Sequence, residues 1–195
     1  LIEDLRQKIA ALEEAQAELV QKERLEQEMA LARQVQQSVL PKTFPHIPGF
    51  QFAAANEPAR QVGGDFYDVI DLGDGTFGVA IADVSDKGMP AALYMALTRS
   101  LLRAEARRDR SPAAVVRQVN HLLLDLAEPD MFVTLFYAVV DTRTRQMTYT
   151  RAGHDRPVLL RGGQASELGG QGSALGLVED LRLTEERVHL QPGDR

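Results

Sequence analysis

Two short acidic clusters carry the residue types from which a metal-binding site can be built. The first is Val62-Gly63-Gly64-Asp65, in which two glycines permit a tight backbone bend just before a carboxylate. The second is the apolar run 79–82 followed by Asp83, which places a carboxylate at the end of a buried strand. Such a group must be paired, hydrogen-bonded or metal-bound, because an isolated buried charge is costly. Taken alone, Asp83 fits a metal ligand or a helix cap equally well.

A predicted β-hairpin brings the two clusters together. Strands are expected over Asp65 to Leu72 and over Phe77 to Val84, and Gly73-Asp74-Gly75 between them is a strong turn signal. Antiparallel pairing sets Asp65, at the start of one strand, near Asp83, at the end of the other, with a main-chain carbonyl beside them.

The ligands at this meeting point are hard oxygen atoms. Asp68 follows Asp65 by three residues and faces the other side of the strand, so the two are not expected to share an ion. The chain has no cysteine, and oxygen ligands without Cys or paired His favour Mg²⁺ or Mn²⁺ over Zn²⁺.

Composition limits the classes of protein to which the chain can belong. Its 195 residues, 44% of them hydrophobic, suffice for one domain and an appendage. A net charge of -6 makes nucleic acid a poor partner and disfavours anionic membranes. The absence of cysteine fits a reducing compartment, and no stretch reaches the roughly 18 apolar residues that span a bilayer, so we expect a cytoplasmic protein. Because the chain begins at Leu1, an upstream membrane-anchored sensor stays open.

Residues 1–40 are predicted to form a helical linker that contains neither Gly nor Pro. Two interpretations stay open: a coiled coil that joins two copies into a homodimer, or an amphipathic helix lying on its own domain. A first set of apolar residues has heptad spacing that Gln16 interrupts, and a second set is displaced by one residue, which suggests two segments or a change in supercoil. The first set is Ile2, Leu5, Ile9, Leu12 and Leu19, and the second is Leu25, Met29, Ala32, Val35 and Val39.

Residues 41–195 are predicted to form one α+β domain, whose boundary is set by Pro41, Pro45 and Pro48. Two helices are expected after the hairpin, with start signals at Pro90 and at Ser111-Pro112. In the first helix the apolar residues follow helical spacing at Leu93, Leu97, Leu101 and Ala104. In the second they lie along one face at Val115, Val119, Leu122 and Leu126. Strands are expected again over 132–140, 146–151, 158–161 and 183–190.

Four ordered blocks resemble the SpoIIE/RsbU-like branch of the PPM-type (protein phosphatase 2C-like) metal-dependent Ser/Thr phosphatases, over residues 33 to 195. The blocks are Gln34-Val35-Gln36-Gln37-Ser38-Val39-Leu40-Pro41, Pro58-Ala59-Arg60-Gln61-Val62-Gly63-Gly64-Asp65-Phe66-Tyr67-Asp68, Ala82-Asp83-Val84-Ser85-Asp86-Lys87-Gly88-Met89-Pro90-Ala91-Ala92-Leu93 and Ala152-Gly153-His154.

The resemblance implies an α-β-β-α sandwich with two Mn²⁺ or Mg²⁺ ions at one edge. It also implies that a water bridging the metals attacks phosphoserine or phosphothreonine in line, without a phosphoenzyme. Carried over by position, Asp83 bridges the ions, Val84 contributes its main-chain carbonyl, and Asp65 holds the second ion directly or through water.

Family members continue past a segment like 191–195 into a Thr-Asp-Gly block and a later Asp-Asp block, whose acids complete the metal site. The sequence stops at Arg195, before both. The resemblance therefore predicts a C-terminally incomplete domain that binds at most one ion and is almost inactive by itself. Asp194 matches the turn before the first missing block and is not expected to be a ligand.

Three further residues are weak candidates for substrate binding. His154 lies in a glycine turn and can act as an acid near neutral pH, but such a histidine more often orders its loop through hydrogen bonds. Arg156 and Arg60 can steer a phosphate, whereas most surface arginines are only solvated.

The resulting hypothesis is a regulatory phosphatase of bacterial signalling that removes phosphate from Ser or Thr of a protein. By resemblance, its substrate is a phosphorylated STAS-domain anti-sigma-factor antagonist, and the helix transmits control from an upstream sensor or receiver domain. The alternative is a non-catalytic regulatory or interaction module with a degenerate metal site. A purely structural coiled-coil scaffold does not explain the order of the acids and glycines.

Overall fold

An antiparallel sheet with two helices on one face forms the centre of the molecule. The computed structural model describes residues 2–58, 61–126 and 131–195. Its elements are α1 (Ile2–Val39), β1 (Phe66–Gly73), β2 (Thr76–Val84), α2 (Met89–Ala106), α3 (Pro112–Leu126), β3 (Val133–Asp141), β4 (Gln146–Ala152), β5 (Val158–Arg161), β6 (Gln164–Glu167) and β7 (Glu186–His189). The predicted α+β class is confirmed.

The main sheet has the strand order β1-β2-β3-β4-β7, and every neighbouring pair is antiparallel. Strands β5 and β6 form a separate two-stranded sheet. The hairpin β1–β2 forms as the sequence predicts, with Asp74 and Gly75 at φ values of 53° and 73°. Positive φ at both turn residues gives the twist that a two-residue hairpin loop needs, and Asp-Gly suits that conformation.

The hydrophobic core lies between the sheet and the helices α2 and α3. Its fully buried members include Phe66, Met95, Leu102, Leu123 and Tyr137. The opposite face of the sheet is covered in part by the segment that follows α1. There the Phe50 and Phe52 rings meet Phe77 edge-on, at centroid distances of 4.9 and 5.4 Å. Both faces of strand β2 are therefore packed around Phe77, whereas Ile81 further along the strand is 48% exposed.

Both predicted helix starts are correct, whereas the apolar residues predicted at helical spacing are only partly buried. The Ser111 hydroxyl accepts a hydrogen bond from the Ala114 amide at 3.1 Å, which caps α3. In α2, Leu93 is 65% exposed, and in α3, Leu126 is 63% exposed. The buried residues include Ala91, Met95, Thr98, Leu102 and Ala106 in α2, and Val115, Val116, Val119 and Leu123 in α3, so Val115 and Val119 are buried as predicted.

Helix α1 is one uninterrupted helix with no buried residue. The first apolar set predicted for a coiled coil is between 49% and 71% exposed along it. Near its C-terminal end, Leu40 packs against the core. None of the helices in the part of the chain that the structure describes combines the length and the apolar character needed to cross a bilayer.

Candidate metal centre

The carboxylates of Asp65 and Asp83 meet at one edge of the main sheet. Phe66 pairs with Ala82 in the β1–β2 ladder, so the next step of the same register sets Asp65 opposite Asp83. Both residues are exposed, whereas their neighbours Phe66, Ala82 and Val84 are buried. A rigid hairpin thus presents two acids to solvent from a packed base.

The two carboxyl groups are close enough to form a hydrogen bond. Partial desolvation of Asp65, its hydrogen bond with Asp83 and the negative charge of Asp83 together raise the pKa of Asp65 from 3.8 to about 6. When two neighbouring carboxyl groups are both ionised, two negative charges lie close together, and without a nearby cation this site has a deficit of positive charge. A hard divalent cation compensates that deficit better than a proton does, because it leaves both groups ionised.

Gly64 allows the first acid to approach the end of β2. A Cβ atom built at this glycine would lie 2.8 Å from the Val84 Cβ and 2.9 Å from the Val84 carbonyl oxygen. Any side chain would push these segments apart. The glycine therefore keeps Asp65 beside the main-chain carbonyl that the resemblance assigns to the metal.

The last turns of α1 hold the loop that carries Asp65. The Gln36 side-chain amide donates a hydrogen bond to the Gly63 carbonyl at 2.5 Å and accepts one from the Gly63 amide at 3.1 Å. Asn56 donates to the Asp65 carbonyl at 2.9 Å. Spacing along the chain predicts no role for Gln36 or Asn56, because only the tertiary fold brings Gln36 to Gly63 and Asn56 to Asp65.

His154 lies next to the same sheet edge through Thr134. Its Nδ1 is 2.9 Å from the Thr134 hydroxyl, which also donates to the Asp83 carbonyl at 3.3 Å. Burial lowers the pKa of His154, although Asp155 and Asp83 oppose that shift. The ring is therefore mostly neutral near pH 7, which suits a residue that orders the edge of β3 better than a cationic acid. Thr134 was missed from sequence, although it pairs with Asp83 across the sheet.

The other acids and arginines considered from sequence lie in separate contacts. Asp68 is buried between two arginines of α2 and does not join Asp65. Asp194 pairs with Arg161, which lowers the pKa of Asp194 to about 2. Arg156 forms an exposed ion pair with Glu167 at 3.2 Å. Arg60 lies outside the described residues.

The donors at this edge fit part of a hard-metal site. Asp65, Asp83 and the Val84 carbonyl provide oxygen ligands of the type that Mg²⁺ and Mn²⁺ prefer. Among residues 2–58, 61–126 and 131–195, no group of three or more acidic or histidine side chains converges to hold an ion. Two carboxylates and one main-chain carbonyl are thus the oxygen atoms that these residues offer to an ion at this edge.

Comparison with known proteins relates this chain to bacterial phosphatases. The family model described as Stage II sporulation protein E (SpoIIE) matches residues 73–195. Protein IcfG of Synechocystis sp. is 31% identical over 86% of this chain and 31% of its own length. Phosphoserine phosphatase RsbU of Bacillus subtilis is 29% identical over 87% of this chain and 51% of its own length. The chain thus spans about a third to a half of these two relatives.

Solved structures show the same fold. The SiaA-PP2C domain of Pseudomonas aeruginosa superimposes with a TM-score of 0.77 at 24% identity, over 89% of this chain and 70% of that one. The PP2C phosphatase domain of SpoIIE from Bacillus subtilis superimposes with a TM-score of 0.61 at 20% identity, over 68% of this chain and 40% of that one. The architecture is that of a PP2C-type phosphatase domain.

Proposed function

Because this chain belongs to the SpoIIE family of PP2C-like proteins, we propose that it provides the phosphatase domain of a bacterial signalling protein and hydrolyses phosphoserine or phosphothreonine in another protein. The observation that carries the proposal is the pair Asp65–Asp83, which the β1–β2 hairpin presents at an exposed sheet edge. Two of the relatives, RsbU and RsbP, are named phosphoserine phosphatases.

The proposed cofactor is Mn²⁺ or Mg²⁺, with two ions in the complete site. Bound ions supply Lewis acidity, which lowers the pKa of water and offsets charge on the phosphoryl oxygens. One solved relative, RsbX, is described in complex with magnesium. In this chain Asp65 and Asp83 act as anionic ligands, and Val84 adds a neutral carbonyl. Gly64 and Gln36 keep Asp65 in position.

A metal requirement tests this function. We expect the full-length gene product to release phosphate from a phosphoserine protein with Mn²⁺ or Mg²⁺ present, and to lose at least about 99% of that rate in excess chelator, since metal ions commonly supply several kcal/mol of transition-state stabilisation. Phosphate release is measured by a coupled assay, and readdition of Mn²⁺ should restore it. Turnover that persists in chelator would exclude the mechanism.

The proposed substrate is a phosphorylated STAS-domain protein in the cytoplasm. This finer assignment rests on the family resemblance, because no described side chain selects one phosphoprotein over another. Parallel assays with a phosphorylated STAS protein and with an unrelated phosphoserine protein distinguish specificity for STAS proteins from general phosphoserine phosphatase activity. Equal kcat/KM values for both would reject the STAS assignment and leave the phosphatase activity standing.

We also propose that α1 associates with α1 of a second copy and connects the domain to an upstream sensor or receiver domain. A helix of 38 residues with no buried side chain gains no stability from tertiary packing along most of its length. Its apolar residues at heptad spacing are solvent-exposed in a single chain. A parallel coiled coil buries them at a two-helix seam.

Charge placed in this seam should weaken the dimer. We expect Leu12→Asp to raise the dimer dissociation constant at least tenfold, because each copy would bury a carboxylate against its partner. Sedimentation velocity over a concentration series measures it. Ala11→Asp adds the same charge one residue away, outside the seam, and should leave the dimer intact. A wild-type protein that stays monomeric at high concentration would reject the proposed dimer.

The non-catalytic alternative keeps the fold and the helix while the metal site has lost its function. It predicts partner binding through α1 without metal-dependent turnover. The chelator experiment therefore separates the two functions directly.

A further inference from the structure

A second polar site lies between β1, α2 and the residues that follow α1. It is a cavity of about 400 Å³, within the size range of small-molecule pockets. Neither Asp65 nor Asp83 lines it, so it is separate from the candidate metal centre. Its charged lining residues are Lys42, Asp68, Asp71, Arg99, Arg103 and Arg107.

The cavity carries an excess of positive charge. Four cationic side chains line it against two carboxylates, which leaves two positive charges in a chain whose net charge is -6. Asp68 is the common partner of two of the cations: the Arg103 guanidinium donates to both its oxygens at 2.8 Å, and Arg99 donates at 2.8 Å. One buried carboxylate therefore holds two guanidinium groups at the wall of the cavity.

Several donors of the cavity have no partner among the described residues. The Arg99 side chain is only 10% exposed, and its buried Nε has no acceptor. Lys42 and Arg107 are exposed, and neither forms a side-chain hydrogen bond or ion pair with another described residue. Buried polar groups are normally hydrogen-bonded, so an unpaired guanidinium N–H beside a polar cavity indicates a missing acceptor.

We propose that this cavity binds a small molecule that carries a phosphate monoester. The two uncompensated positive charges match the charge of a phosphate dianion, and guanidinium groups fit phosphate oxygens through paired N–H donors. Val39, Leu40, Pro41 and Pro45 form the less polar wall, which can contact the organic part of the ligand. The bound molecule would touch both α2 and the connection between α1 and the domain. This inference goes beyond the proposed phosphatase activity.

Inorganic phosphate is the probe for the first test. The full-length protein is held in excess chelator, so that no product site on metal ions contributes, and ionic strength is kept constant with sodium chloride. Isothermal titration calorimetry should show saturable binding of one phosphate per chain. Glycerol 3-phosphate should bind at least as tightly as phosphate, because it adds contacts with the less polar wall.

Two variants test whether phosphate binds in this cavity. The double variant Lys42→Ala and Arg107→Ala leaves the buried contacts of Asp68 intact and should weaken phosphate binding at least tenfold. Arg108→Ala removes an adjacent cation that pairs with Glu105 at the surface, and it should change the affinity less than twofold. Circular dichroism checks that both variants are folded.

Four results would overturn the proposal. Absence of saturable phosphate binding rejects the site. An equal loss in Arg108→Ala shows only general attraction to positive charge. A double variant that melts earlier but binds phosphate unchanged shows that Lys42 and Arg107 serve stability, for example at the C-terminal end of α2. Binding of a glutamate-rich peptide without binding of phosphate would instead assign the surface to an acidic protein partner.

Discussion

The substitution Asp83→Asn is expected to reduce kcat/KM for a phosphoserine protein about a thousandfold in the full-length gene product. Asparagine keeps the size of the side chain and removes the charge that the proposed ions share. Metal ions supply several kcal/mol of transition-state stabilisation in such reactions, and about 4 kcal/mol corresponds to this factor. The measurement is steady-state phosphate release at saturating Mn²⁺.

A matched control is Asp86→Asn, which makes the same change three residues later. The Asp86 carboxylate accepts a hydrogen bond from the Lys87 amide and lies outside the proposed ligand set. Its φ of 74° is one that asparagine also tolerates. We expect turnover within about twofold of the wild type. An Asp83→Asn protein that retains most of its activity would move the catalytic carboxylates elsewhere.

The substitution Asp83→Asn should also change the pKa of Asp65 in the metal-free protein. The folded-state pKa of Asp65 is raised from 3.8 to about 6 by burial, by the hydrogen bond with Asp83 and by its charge. Between about pH 4 and pH 6 the folded state therefore binds more protons than the unfolded state, and this group lowers stability as pH rises. Asp83→Asn should shift the pKa of Asp65 downward, part of the way, because burial remains. Carbon NMR of the aspartate carboxyl groups measures the shift directly.

The second large effect is expected at Asp68. Replacing it with asparagine should lower the free energy of unfolding by about 3–5 kcal/mol, since it leaves two guanidinium groups without their carboxylate. The Asp68 side chain is fully buried, while those of Arg99 and Arg103 are 10% and 33% exposed. Urea denaturation followed by circular dichroism gives the difference.

Asp71→Asn is the matched control for Asp68, because it changes the same residue type three positions later on the same strand. Asp71 is exposed and accepts a hydrogen bond from the Gly73 amide at 2.9 Å. A loss of about 1 kcal/mol or less is expected there. If both variants lost the same small amount, the buried cluster would not stabilise the fold in the way its geometry indicates.

Local signals in the sequence determined the elements that position the site. Asp74-Gly75 suits the positive φ values of a two-residue turn, so the hairpin was predictable, and with it the meeting of Asp65 and Asp83. Proline and a capping serine stabilise the first turn of a helix through local contacts, so the sequence predicts where a helix starts, and both predicted starts are correct. The strand β6 was not predicted, because Gln164–Glu167 is exposed throughout and has no alternation of apolar residues.

Only the tertiary structure decided which side of each helix is buried and which polar groups meet. Helix α2 has apolar residues on several sides, so its periodicity allows more than one inward face, and the position of the sheet selects Met95 and Leu102 over Leu93. The ion pairs of Asp68 with Arg99 and Arg103 join residues that are 31 and 35 positions apart in the chain. The contact of Gln36 with Gly63 is likewise non-local. Hydrogen bonds and ion pairs of this kind depend on positions in space, and spacing along the chain predicts such positions only within a single helix or hairpin.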